Sequence, residues 1–175
     1  VAAGQGAEVV LFEKGERLGR KILATGNGKC NLGNLELSPE MYYSESPAKI
    51  PGWLEEFSTQ DTISFFEGLG LMIKQKNGYL YPMSEQAATV LDVLRFQIAR
   101  ERRIQVKLQS PVIHMERRKK QEKILVKTET EEALFDRVIL TCGGKAARAT
   151  GSYGSGYQLA GMLGHRIVPV LPALV

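Results

Sequence analysis

The residues of this chain most able to do chemistry lie at two strand ends and in one loop. Glu13 closes the apolar run Val9-Val10-Leu11-Phe12. A carboxylate at the carboxyl end of a buried strand can accept hydrogen bonds from ribose hydroxyls, as it does in Rossmann-type dinucleotide sites. From Lys14 to Asn34 the chain then interleaves Arg17, Arg20, Lys21 and Lys29 with Gly15, Gly19, Gly26, Gly28 and Gly33. This stretch lacks apolar periodicity and reads as a long loop with one helical turn near Arg20. Long glycine-rich loops in compact domains are usually functional. A second apolar run, Val138-Ile139-Leu140, leads through Thr141 and Cys142 into Gly143-Gly144.

Other reactive side chains form no constellation. Cys30 and Cys142 are far apart with no CxxC, and His114 and His165 lack ligand spacing. Two such thiols cannot build a structural zinc site, so no metal is expected. Cys30 beside Lys29 has a redox reading, but a buried thiol packed in its loop is preferred, because reactive thiols need an electropositive, partly exposed site. Cys142 reads as a small core residue, and His165 as a residue just past a helix end. Thiols without a disulfide framework fit a reducing, cytoplasmic setting.

The elements that must position these residues follow from pattern. Val1 to Gly6 looks like a helix end with a glycine stop. Residues 7–13 form a strand buried on both faces, as in a parallel sheet. Residues 47–70 read as short helices, with Trp53, Leu54 and Phe57 on one apolar face, Ile63, Phe66 and Leu69 on another, Asp61 as N-cap and Gly70 as stop. Lys76-Asn77-Gly78 marks a hairpin within residues 71–82. Ala87, Leu91, Leu94 and Ile98 define a helix over residues 84–103, with Ser84 as N-cap and Arg100, Arg102 and Arg103 at its negative end. Short antiparallel strands follow as a β-meander, then a buried strand over 137–141. Gly154-Ser155-Gly156 opens a last short helix that stops at Gly164.

The chain has 175 residues, is 43% hydrophobic and 24% charged, and carries a formal charge of +4. This composition fits a globular domain and argues against disorder. No apolar run approaches a membrane span, so no membrane partner is expected. The positive excess concentrates between Arg95 and Lys123. A nucleic-acid patch would interleave several aromatic residues there to stack bases, and Phe96 is the one Phe, Tyr or Trp between Arg95 and Lys123. A solvated helix end and hairpin turn explain the charge, so no nucleic-acid partner is expected. The alternative is a non-catalytic nucleotide- or nucleic-acid-binding module using the basic 95–123 face.

Several segments occur in order: Glu13-Lys14, Gly19-Arg20-Lys21, Thr25-Gly26-Asn27-Gly28-Lys29-Cys30-Asn31-Leu32-Gly33-Asn34, and Gly78-Tyr79-Leu80-Tyr81-Pro82. They are followed by Gln86-Ala87, Thr150-Gly151-Ser152-Tyr153-Gly154-Ser155-Gly156-Tyr157, Leu163-Gly164-His165 and Pro172-Ala173-Leu174-Val175. With these, the chain resembles the bacterial NAD(P)/FAD-dependent oxidoreductase family that includes aminoacetone-oxidase-like and bile-acid-reductase-like flavoproteins. Two departures stand out. The family commonly has Ala-Thr-Gly-Gly at Thr141-Cys142-Gly143-Gly144, and often Gly-Arg at Gly78-Tyr79.

The resemblance implies an α/β fold: a Rossmann-like FAD-binding domain of the glutathione-reductase type with a β-meander. It implies that residues 1–168 are a partial FAD-binding domain and that 169–175 begin the connection to an inserted domain. A first strand with its Gly-x-Gly-x-x-Gly turn would precede Val1; Gly4-Gln5-Gly6 precedes a strand and is no substitute. The implied activity is flavin hydride transfer on a small-molecule substrate, with NAD(P)H as a candidate electron donor and the chain inactive by itself. Carried over, Glu13 would bind the adenosine ribose, with Lys14 adjoining it. Arg20 and Lys21 would lie near the ribose and pyrophosphate. The segment from Thr25 through Gly26 and Gly28 to Asn31 would pass the flavin end. Val112 would meet the adenine edge through its backbone, and Gly143 and Gly144 would lie beside the cofactor. No catalytic residue is assigned.

Overall fold

A computed structural model describes residues 1–146 and 148–171. In chain order the first elements are β1 (Val9–Phe12), β2 (Gly33–Asn34), α1 (Ile50–Glu56), α2 (Thr59–Gly68), β3 (Ile73–Lys76), β4 (Tyr79–Pro82) and α3 (Ala87–Arg100). They are followed by β5 (Ile104–Lys107), β6 (His114–Arg118), β7 (Lys123–Lys127), β8 (Glu132–Phe135) and α4 (Ser155–Met162). The chain divides into two compact units. One comprises Val1–Leu18 and the residues from Arg103 onward, the other Gly19–Arg102.

In the first unit β1 pairs parallel with β5, Val9 opposite Ile104 and Phe12 opposite Lys107. Four β-branched or large apolar residues in a row suit a strand that packs on both faces. All four are half-buried rather than buried. Strands β6, β7 and β8 form the expected antiparallel meander, in that order. Thr128, 2% exposed, shapes the turn between β7 and β8. Its hydroxyl accepts from Glu131 N at 3.1 Å and donates to Glu131 O at 3.2 Å. The core of this unit gathers Met115, Val126 and Leu159, with Phe12, Val112, Phe135 and Val138 packed on it. Phe12 meets Phe135 edge to face at 6.0 Å.

In the second unit Asn77 (φ 51) and Gly78 (φ 80) adopt the left-handed pair that closes a two-residue hairpin between β3 and β4. Strand β2 extends this hairpin by pairing with β4, Gly33 opposite Leu80. Its core packs Cys30, Leu71, Ala87 and Val90 with Ile22, Leu32 and Phe66. Cys30 is thus the buried loop thiol expected.

Several expectations are corrected. Residues 137–141 form no strand, and Ile139 is 79% exposed. No strand among the described residues pairs with them, and an extended segment without a ladder partner is not held as a strand. Cys142, expected in a core, is exposed. The cap of α2 is Ser58, whose hydroxyl accepts from Asp61 N at 3.2 Å while Asp61 Oδ2 accepts from Ser58 N at 2.7 Å. Asp61 is therefore the third helical residue of a capping box, a role its side chain fills equally well. Helix α3 begins at Ala87, not Ser84: Glu85 holds φ 52, and the Ser84 hydroxyl pairs instead with Thr89 Oγ1. The Trp53 and Phe57 face is exposed rather than packed. Residues 172–175, part of the expected connection to an inserted domain, lie outside the described residues.

Candidate functional site

Glu13 follows directly on β1, at the carboxyl end of the parallel pair. Its backbone N–H donates to Lys107 O at 2.9 Å and its carbonyl accepts from Ser110 N at 2.9 Å, so β5 fixes its position. The half-buried side chain turns onto its own loop, and Oε1 accepts from Gly15 N at 2.7 Å. A carboxylate accepts at up to about four lone-pair sites, so a hydroxyl-bearing ligand can still bond it.

Lys14 is drawn to a second loop of the same unit. Its ammonium donates to Gly151 O and lies 4.5 Å from the centre of the Tyr153 ring. Gly151 holds φ +90, and a Cβ there would stand 3.1 Å from Lys14 Cε. Gly143 (φ +75) and Gly144 follow the 138–142 segment. A Cβ on Gly144 would come 3.0 Å from the Tyr157 hydroxyl, so this glycine admits the first turn of α4. Val112 is half-buried and packs its side chain against the meander core. The first unit therefore places Glu13, Lys14, Val112, Gly143 and Gly144, with Lys14 tied to the loop before α4.

The second unit holds the remaining candidates. Arg20 is exposed and Lys21 half-buried. Residues Ile22–Gly28 make two 3-10 turns broken at Thr25 (ψ 149), with Gly26 and Asn27 both at φ 53. The Thr25 hydroxyl donates to Ile22 O at 2.7 Å, and Thr25 O accepts from Cys30 N at 3.2 Å. Asn31 Oδ1 accepts from Gly33 N at 3.1 Å. Thr25, Gly26, Gly28 and Asn31 are all exposed, so a compact, self-bonded loop presents them to solvent.

One cluster escapes sequence reading. Glu85 pairs with Lys29 at 2.9 Å and also with Lys74. Hydrogen bonds from Lys74 and then Lys29 pull the Glu85 carboxyl down to about 2. The Glu85 hydrogen bond and charge raise the Lys29 ammonium. Together with Lys76, Asn77, Tyr79 and Tyr81, Lys29 and Glu85 line a cavity of about 140 Å³. Lys29 carries a signal in its glycine-rich context; Glu85 carries none, since only the hairpin brings it there.

In the basic stretch the helix stops at Arg100, so Arg102 and Arg103 lie past it rather than at its end. Arg100 ends α3 with its guanidinium 5.2 Å from the Phe96 ring. In the other unit, Arg118 pairs with Glu116 at 3.2 Å and Lys123 with Asp136 at 3.2 Å, around the β6–β7 turn. Among the described residues no His, Cys, Asp and Glu group could hold a metal ion, and no helix is long and apolar enough to cross a membrane.

A parallel strand pair closed by an acid, a long helix, an antiparallel meander and a glycine pair before a short helix define a Rossmann-type α/β protein. The chain belongs to the HI0933-like family, whose Rossmann-domain pattern matches residues 1–170. It is 41% identical to a 3-dehydro-bile acid delta(4,6)-reductase of Clostridium scindens over 169 residues, 97% of this chain and 41% of that protein. It is 29% identical to a ribosomal RNA dihydrouridine synthase of Haemophilus influenzae, over 97% of this chain and 43% of that protein. The Escherichia coli protein of the same name is 27% identical over 99% of this chain and 43% of its own length. The chain thus spans less than half the length of these relatives.

Proposed function

We propose that this chain is part of a flavin-dependent reductase that saturates a ring carbon–carbon double bond conjugated to a carbonyl group. The relatives' names support the reaction class. A delta(4,6)-reductase of a 3-dehydro steroid acid and a dihydrouridine synthase each describe hydrogen added across such a bond. The structural observation carrying the proposal is Glu13 at the carboxyl end of the β1–β5 pair, the position from which an acid meets a ribose in Rossmann-type folds.

The residues of the first unit fit the adenosine end of FAD. Glu13 would accept from the adenosine ribose, and Gly143 and Gly144 offer backbone without a Cβ beside the cofactor. When bound, FAD supplies two-electron hydride chemistry, with NAD(P)H as electron donor. The protein's own part is to hold the cofactor, orient the enone and keep water from the reacting carbons. Purification of the whole protein carrying this chain tests the reading. A flavin absorbance band, bleached by NADH or NADPH and restored by an enone substrate, is expected; a colourless protein that acquires no band with added FAD would refute it.

A second reading, with RNA as substrate, draws on the two dihydrouridine synthase relatives. Salt-sensitive binding of ribosomal RNA by the whole protein would favour it.

A further inference from the structure

The Gly19–Arg102 unit carries a second cavity that none of the cofactor candidates touches. It measures about 320 Å³ and is lined by Tyr42, Tyr43, Ser44, Ile50, Trp53 and Leu54. Two prolines build it: Pro39 and Pro47 each start a 3-10 turn, and the chain between them runs extended through Tyr42 (φ −109, ψ 128). The second turn continues into α1, whose Ile50 is 5% exposed and anchors the floor. The rings above it stay in solvent, Trp53 at 58% and Tyr43 fully exposed. Large apolar side chains held open together mark a binding surface. Apolar and aromatic walls with a few hydroxyls, at this volume, are the make-up of a small-molecule site.

We propose that this cavity binds the ring system of an uncharged, fused-ring enone substrate. The proposal rests on the enone-reductase reading above and names its substrate class. Its lining contains no lysine, arginine, histidine, aspartate or glutamate. Its polar side-chain groups are the hydroxyls of Tyr42, Tyr43 and Ser44 and the indole N–H of Trp53, which can meet an oxo or hydroxyl substituent. Aromatic rings also stack nucleobases, but charge argues against that occupant. Residues 35–57 hold five glutamates and one lysine. Hydrogen bonding from Ser38 keeps Glu40 ionised below the ordinary carboxylate range. Surfaces that bind single-stranded nucleic acid pair their aromatic platforms with basic residues. An acidic surround repels phosphates and leaves a neutral ring system unaffected.

Trp53 is the chain's one tryptophan, which makes the cavity directly observable. The experiment titrates the whole protein with progesterone, an uncharged four-ring 3-oxo-4-ene, and follows tryptophan fluorescence, with equilibrium dialysis alongside. A saturable fluorescence change that disappears in Trp53→Phe is expected. The double variant Tyr42→Ala, Tyr43→Ala removes two exposed rings and is expected to weaken dialysis affinity about tenfold or more, with unchanged melting. Absence of saturable binding, equal affinity in the double variant, or a Trp53 response to poly(U) in place of progesterone would overturn the proposal. Flavin absorbance and enone reduction are measured separately. Steroid binding at Trp53 without flavin or reduction would refute the reductase reading and leave the cavity standing. Enone reduction with an unchanged KM in the double variant would refute the cavity and leave the reductase reading standing.

Discussion

A Cβ on Gly26 would lie 2.9 Å from the backbone nitrogen of Asn31. The loop doubles back on itself there, with Lys29 N donating to Gly26 O at 3.1 Å. The obstructing atom is backbone, so no side-chain rotation relieves the clash. Gly28, two residues on, holds φ +81 but faces open space. Two glycines of one motif therefore have different physical reasons to be glycine.

Substitution separates them. Gly28→Ala incurs left-handed strain alone, about 1–2 kcal/mol of stability. Gly26→Ala adds the backbone clash and is expected to cost clearly more. Urea unfolding of both variants checks this; equal losses would contradict the close approach at Asn31.

The Glu85 pairing makes stability depend on acid. Its folded-state carboxyl is depressed to about 2. Its contribution is thus present above the ordinary glutamate range and is lost as pH falls from about 4.5 through about 2. Glu85→Gln should lower the urea midpoint at neutral pH, and its difference from wild type should shrink steadily below pH 4.5. High salt should shrink it too, since the pair is solvent-accessible. A difference that grows on acidification would reverse the assignment.

Glu13 reports on the cofactor. In the whole protein Glu13→Ala is expected to weaken FAD binding by about 1–3 kcal/mol, the cost of a lost charged hydrogen bond. The measurement is fluorescence titration of FAD into apoprotein. The melting temperature of the apoprotein is the control, because Glu13 Oε1 also holds Gly15 N. Unchanged affinity would remove Glu13 from the ribose role.

The basic turn is expected to be dispensable for the flavin. Changing Arg117, Arg118, Lys119 and Lys120 together to Gln alters exposed side chains at the β6–β7 turn. Flavin content per mole should stay the same. Loss of a measurable, salt-sensitive RNA affinity in this variant would promote the RNA-substrate reading.

Local chemistry was legible without coordinates. The Asn77-Gly78 hairpin, the heptad-like spacing of Ala87, Leu91 and Leu94, the meander and the Val9–Phe12 strand all depend on side-chain periodicity and turn residues a few positions apart. The fold class came from the resemblance carried by segments such as Gly26-Asn27-Gly28-Lys29-Cys30-Asn31. Contacts distant in sequence were not legible. The approach of Glu85 to Lys29, the hold of Lys14 on Gly151 and the closing of β2 onto β4 require the chain to fold before the partners meet. Burial was the other gap. Ile139, Leu140 and the Trp53 face are apolar enough to read as core, yet they lie exposed. Hydrophobicity states what a segment can bury, and only the tertiary arrangement decides whether a partner surface is there to bury it.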